Sequence, residues 1–297
     1  MALAPRPSLP GPTSAERSVG SRQTSMVVTS DRRGLGGVFD EVPELYDRVR
    51  PSYPNEMITE LRALTGLDQH SSVLEVGCGT GQATRLLAVI GCSVRAVERG
   101  AAMADVARQR LANFANVHIE TSTFEGWEPG TRRFDVLVAA SSWHWVEPSI
   151  GWNRARGVLN PGGWMAVLGH VVVRQPGQPE VYAQTADLHE RYAPGNPDWG
   201  HPPLADDVRA TDHGWGPPNE DREGCFGPTI VRWFPTVQWF NGAGFADLLR
   251  STSVYRRLDD SVREPLLDAI AERIQTEMGD RASRHYLSVL RVGQRAD

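Results

Sequence analysis

At 297 residues, with a formal net charge of −5 and a pI near 5.9, the chain can bury a sizeable core and carries no electrostatic footprint for nucleic acid. It contains no lysine: all 31 basic residues are arginine, which excludes a P-loop lysine, a Schiff-base lysine and a Tyr-x-x-x-Lys dehydrogenase pair. No stretch is apolar enough to span a bilayer, and the sparse cysteines Cys78, Cys92 and Cys225 match no metal spacing and suit a reducing, cytoplasmic compartment.

Residues 1–37 are rich in Pro, Ser, Gly, Arg and Thr and lack an apolar run, which predicts a disordered tail rather than a secretory signal. Met26 is a second candidate start. From residue 38 onward a single domain is expected. Tyr46 and Arg50 stand four apart, on one face of a short helix that Pro51 stops. Pro54 opens the next helix, which carries Met57, Ile58, Leu61 and Leu64 at helical spacing.

The most informative stretch follows. Val73, Leu74 and Val76 make an apolar strand, broken at once by Gly77, Gly79 and Gly81, after which Leu86, Leu87 and Ala88 continue a helix. A strand, a glycine turn and a helix bring backbone close beneath a ligand and aim helix N-terminal N–H groups at it. A Cβ at any of the three glycines is expected to push such a ligand away. The spacing reads E-x-G-x-G-x-G, not the G-x-G-x-x-G of the dinucleotide fingerprint. Glu75 lies inside the strand, where an ammonium group could use it, and Cys78 occupies the turn as a small residue. The next strand, Ser93 to Glu98, ends in a carboxylate placed to accept hydrogen bonds from ribose hydroxyls.

Beyond Glu98 the alternation is regular. A helix is expected over 101–111, a third strand over 117–120, a fourth over 134–140 and a helix over 152–159. Pro161-Gly162-Gly163 reads as a turn before a fifth strand over 164–171. Strand and helix in alternation mean a parallel sheet covered on both faces, with ligands at the C-terminal strand ends.

These motifs, Val73 to Gly81, Val97-Glu98, Phe134 to Val138 and Leu159 to Gly163, resemble in order those of a class I S-adenosylmethionine (SAM)-dependent methyltransferase. The resemblance is strong over about 39–173 and thins beyond. It implies an α/β Rossmann-like fold, a mostly parallel seven-stranded sheet with helices on both faces, and a final strand inserted antiparallel. It implies SAM as cofactor, with the glycines holding the methionine moiety, Glu98 the ribose, and Thr123 and Phe124 the adenine edge. Cys78, Arg99 and Ser141 complete the expected cofactor-binding set. Tyr46 and Arg50 resemble a segment that lids the SAM pocket in relatives; simple packing and a surface charge is the other reading. Phe124 has core packing as its alternative.

Ser141 to Trp145 follows the fourth strand, where the transferred methyl should point. His144 is the candidate catalytic base there, or else a pocket wall with Trp143 and Trp145. The Asp/Asn-Pro-Pro-aromatic signature of amino-methylating DNA enzymes is absent from that place, and His201-Pro202-Pro203-Leu204 lies elsewhere and lacks the aromatic. Residues 175–225 break the pattern. Pro179 opens a helix through Arg191, and a stretch with Trp199, His201, His213 and Trp215 follows, read as a cap insertion over the substrate. The tail supplies a strand over 229–234, helices over 245–250 and 262–278, and a last strand over 284–292.

The sequence therefore predicts SAM-dependent methyl transfer to the oxygen or nitrogen of a small-molecule acceptor, with no metal, no nucleic acid and no membrane partner. A SAM-binding scaffold without turnover is the rival. An NAD oxidoreductase is a third reading, opposed by the glycine spacing and the missing lysine. Monomer and homodimer stay open.

Overall fold

The computed structural model describes residues 40–178, 180–196, 199–212, 214–215 and 222–297. The expected tail, Pro179 and His213 lie outside them. The described residues belong to one compact unit.

Seven strands form one sheet in the order β3-β2-β1-β4-β5-β7-β6. They are β1 Ser72–Val76, β2 Ser93–Glu98, β3 Val117–Thr121, β4 Phe134–Ala140, β5 Leu159–Val173, β6 Ile230–Phe240 and β7 Ala282–Gln294. β1 to β5 pair in parallel, and β7 runs antiparallel to both β5 and β6. The order reverses between β1 and β4, both of which pair directly. Such a switch point leaves a crevice at the C-terminal strand ends, where ligands of open α/β sheets bind.

Successive residues of each strand feed opposite faces, which is why the central strands β1 and β4 are largely apolar while the edge strands β3 and β6 alternate in exposure. Val73, Val136, Val138, Ala166, Leu168 and Leu290 pack on one face with Met57 and Leu61 of the helix Asn55–Thr65 and Leu87 of the helix Gln82–Ile90. Leu74, Val97, Leu137 and Met165 pack on the other with Trp152, Ala155 and Val158 of the helix Pro148–Val158. Each fully buried leucine contributes about 1.5–3 kcal/mol. A third cluster joins the helices Val181–Tyr192, Gly242–Arg250 and Asp260–Glu277 through Leu188, Leu248, Leu249, Leu266 and Ile270.

Several elements differ from their predicted form. Pro161-Gly162-Gly163 does not precede β5 but lies within it, as a bulge: β4 pairs Phe134 with Leu159 and then Val136 with Trp164. Asn160 Nδ2 donates to Asp135 Oδ1 at 2.8 Å across this bulge, and Gly162 holds a φ of +75°. β6 runs past Pro235 to Phe240 because it is the edge strand, where a missing N–H removes no ladder bond.

The region predicted as a cap is divided. Trp199 packs edge-on against His189, at 4.6 Å between ring centroids, in the third cluster. Trp215 instead meets Trp152 at 5.6 Å, on the second. His201 is exposed, its ring nitrogen 3.1 Å from Glu180 Oε2.

Candidate functional site

The glycine turn joins β1 to the helix Gln82–Ile90 with φ values of +70° at Gly77, +58° at Gly79 and +93° at Gly81, a region L side chains rarely adopt. At Gly77 and Gly81 space forbids a side chain as well. A Cβ on Gly77 would stand 2.6 Å from Ser142 Cβ, and one on Gly81 2.9 Å from Leu111 Cδ1. At Gly79 the nearest atom would be Met103 Cε at 3.5 Å, an ordinary contact. Gly77 and Gly81 are thus required by the chain's own packing, and Gly79 by its backbone conformation.

Glu98 closes the turn from β2. Its Oε2 accepts from Gly79 N at 2.8 Å and its Oε1 from Gly100 N at 2.8 Å. Burial raises its pKa, and these backbone N–H bonds oppose the shift. Arg99, next to it, is exposed. Asp40 joins the same corner, its Oδ1 accepting from Met103 N at 2.9 Å.

Glu75 is the most unusual group. It is fully buried in β1, and neither carboxylate oxygen completes a hydrogen bond, the neighbouring Thr84 hydroxyl being likewise buried without a partner. Burial pushes its pKa up to about 7, with the Thr84 hydroxyl opposing the shift and Glu98 adding to it. Cys78, in the turn, is buried, free and pushed well above the usual thiol range by desolvation. It is an inert small residue there.

The N-terminal segment lies against this turn. Thr80 Oγ1 donates to Asp47 Oδ1 at 2.9 Å, and Arg110 pairs with the same carboxylate. On the helix Pro43–Val49 and its cap, the Arg50 guanidinium lies 4.9 Å from the centre of the Tyr46 ring. Beyond Pro51, the Tyr53 hydroxyl hydrogen-bonds Ser141 Oγ at 2.8 Å, and its ring stacks on His170 at 4.6 Å. Ser141 holds a φ of +55° just past β4, a conformation costly for a residue with a side chain. Next to it, Ser142 donates to Val76 O, pinning the ends of β4 and β1 together.

On the β3 side, Thr123 Oγ1 accepts from Gly126 N at 3.1 Å. Phe124 is buried against Trp143, at 6.0 Å between ring centroids. His144 is exposed on the short helix Trp143–Trp145, its ring 4.7 Å from that of Trp145.

The structure therefore brings Tyr46, Arg50, Glu75, the three glycines, Cys78, Glu98 and Ser141 to one end of the sheet. Sequence reasoning missed Asp40, Asp47, Tyr53 and His170. A signal existed for two of them: Tyr53 is an aromatic enclosed by prolines in Arg50-Pro51-Ser52-Tyr53-Pro54, and His170 is the lone ionisable residue in the apolar run from Met165 to Val173.

A family model described as a methyltransferase domain matches residues 73–163, from the start of β1 into β5. An uncharacterized methyltransferase of Mycobacterium tuberculosis (strain ATCC 25618 / H37Rv) is 32% identical over 141 residues, 48% of this chain and 55% of the relative. The trans-aconitate 2-methyltransferase of Paracidovorax citrulli is 35% identical over 140 residues, 44% of this chain and 50% of that protein. The chain thus spans about half the length of the curated relatives it matches. A protein of Anaeromyxobacter dehalogenans, provisionally described as a type II methyltransferase, superposes with a TM-score of 0.54 at 23% identity, over 82% of this chain and 97% of its own. Residues 73–163 thus match a methyltransferase domain, and the seven-stranded sheet has the Rossmann-like fold of the Anaeromyxobacter protein.

Proposed function

We propose that this chain transfers a methyl group from SAM to an oxygen or nitrogen of a small-molecule acceptor. One observation carries the cofactor reading: Glu75, fully buried beside the glycine turn, with both oxygens unpartnered. A buried carboxylate left unsatisfied costs several kcal/mol at order of magnitude unless a cation or donors reach it. A ligand that brings its own ammonium fits that need, and an aminoacyl sulfonium such as SAM carries one.

When bound, SAM supplies an activated methyl and a ready leaving group, so this chain's residues chiefly position. In this reading Glu98 accepts from the ribose hydroxyls with lone pairs left over from Gly79 N and Gly100 N. The Gly77 to Gly81 turn, with Cys78, gives close approach. Arg99 flanks the ribose, and the Thr123–Phe124 backbone meets the adenine. Tyr46 and Arg50 cover the cofactor, and Ser141 faces its methyl end. Holding donor and acceptor in line is worth ~7–11 kcal/mol of barrier. His144 is the proposed proton acceptor for a hydroxyl or amine. The name of the Paracidovorax relative supports a small-molecule acceptor, and the free cysteines suit a cytoplasmic setting.

The rival is SAM binding without turnover. Incubating the full chain with SAM and pooled small alcohols, amines and acids should release S-adenosylhomocysteine (SAH) above the acceptor-free rate, with a methylated product by mass. Tight SAH binding with no product from any pool would favour the scaffold.

A further inference from the structure

On the sheet face that carries Leu168 and Leu290, a row of polar groups continues beyond the apolar core toward the C-terminal end of β5. His170 pairs across with Ser288, Val172 with Tyr286, and Gln238 of β6 with Arg284. Residues 284, 286 and 288 of β7 are two apart, so their side chains share that face. His170 Nδ1 hydrogen-bonds Ser288 Oγ at 2.8 Å, and its other ring nitrogen, Nε2, is buried without a partner. Gln238 Oε1 and Arg284 Nε are likewise buried and unpartnered. Three orphaned polar atoms thus lie on one face of three adjacent strands.

Arg284 has a further peculiarity. Its guanidinium donates to the Tyr182 hydroxyl at 3.1 Å and lies 5.8 Å from the centre of the Tyr286 ring. Among the described residues it forms no ion pair. Glu180, the acid in its vicinity, is occupied as the cap of the helix Val181–Tyr192, accepting from Tyr182 N at 2.7 Å and Ala183 N at 3.3 Å. A guanidinium held among tyrosines, with Glu180 near it but bonded elsewhere, is charge only partly compensated, which a fold retains at a cost. An anionic ligand removes that cost and gains a bidentate contact.

The row also has a direction. Its His170 end touches the methyl-transfer site, through the Tyr53 ring stacked on His170 and the Tyr53–Ser141 bond at the end of β4. Its Arg284 end is four residues further along β7, ~13 Å away at strand rise. There it meets a cleft lined by Arg174, Gln178, Glu180, Tyr182 and Pro202.

We propose that the acceptor is a small carboxylic acid, with a carboxylate distant from the methylated atom held by Arg284 beside Gln238 Oε1, and a nearer polar group met by His170 Nε2. The word acceptor rests on the methyl-transfer reading; the anion site does not. Binding energy gathered at Arg284 then serves to align an atom near His170 with the donor. His170, neutral and walled by Tyr53 and Tyr286, acts as a hydrogen-bonding guide.

The test is calorimetric titration of the full chain, saturated with SAH, with 4-hydroxybenzoate, succinate and citrate, and with 4-hydroxybenzamide and succinamide as uncharged counterparts. At least one acid should bind tenfold or more tighter than its amide. Arg284→Gln should lose tenfold or more of that affinity, Arg284→Lys should keep most of it, and SAH affinity should stay within twofold. Acids and amides binding alike, no acid binding, or an Arg284→Gln chain that binds acids as the parent does would each overturn the proposal. Should Arg284→Gln fail to fold, the acid-against-amide comparison on the parent chain decides alone. Should SAH itself not bind, the cofactor reading fails, and the acids titrated without SAH still test the anion site.

Discussion

Thr80 Oγ1 donates to Asp47 Oδ1 at 2.9 Å, joining residues 33 apart and fastening the helix Pro43–Val49 onto the glycine turn. Arg110 binds the same carboxylate, so Asp47 ties together the N-terminal segment, the turn and the end of the helix Ala101–Arg110. This fastening gives Tyr46 and Arg50 a fixed place beside the proposed cofactor site.

Asp47→Ala should therefore cost about 1–2 kcal/mol of stability, since a charge-assisted hydrogen bond is lost and the Thr80 hydroxyl is left without its partner. SAH affinity should fall several-fold, because the covering segment must then be ordered on binding. Denaturant melts and SAH titrations of the variant check both. A full stability loss with unchanged SAH affinity would show that the segment takes no part in holding the cofactor.

Glu75 predicts a pH dependence with a definite sign. Its carboxyl titrates near 4.5 when unfolded and about 7 when folded, so the stabilisation is complete below 4.5 and lost as the pH rises through 7. The span corresponds to roughly 3 kcal/mol as an upper bound. Glu75→Gln should flatten the fall in stability between those limits, measured by urea unfolding across the range. If the cofactor's ammonium pairs with Glu75, SAH should bind more tightly as the pH rises from 6 to 8, with proton release visible in buffers of different ionisation enthalpy. A pH-independent SAH affinity would separate Glu75 from the ligand.

His144→Ala should leave SAH affinity within a few-fold, because the side chain is exposed on the helix Trp143–Trp145. If it takes the acceptor's proton, turnover should fall and the pH profile should lose its inflection near ~6.5. A shifted acceptor KM with an unchanged profile would make it a wall residue. An unchanged variant would leave positioning as the whole mechanism.

How much the sequence discloses follows the range of the interactions. The turn after β1 and the carboxylate ending β2 are local patterns, and the parallel order of the first five strands follows from alternation. The bulge over residues 160–163 reads as a turn in the sequence because Pro-Gly-Gly is turn chemistry, and only its pairing to β4 places it inside a strand. Pro235 similarly hid the length of β6, whose edge position is a fact of the whole sheet. The packing of Phe124 against Trp143 is likewise a contact no local spacing discloses. Asp47 with Thr80 and Tyr53 with Ser141 join distant residues, so no spacing rule reveals them.

Glu98 gives the most direct test of the central claim, that this turn is a SAM site. Its carboxylate does more than sequence reasoning assigned, since it also accepts from Gly79 N and Gly100 N; Glu98→Ala should cost stability as well as affinity. Calorimetric titration of the parent chain and Glu98→Gln, a milder change, with SAH and with NAD⁺ under matched conditions is the decisive measurement. The parent should bind SAH and not NAD⁺, and Glu98→Gln should weaken SAH binding by ~1.5–3 kcal/mol, the worth of hydrogen bonds to a charged group. Equal binding of NAD⁺ and SAH, or SAH affinity untouched by Glu98→Gln, would contradict the account.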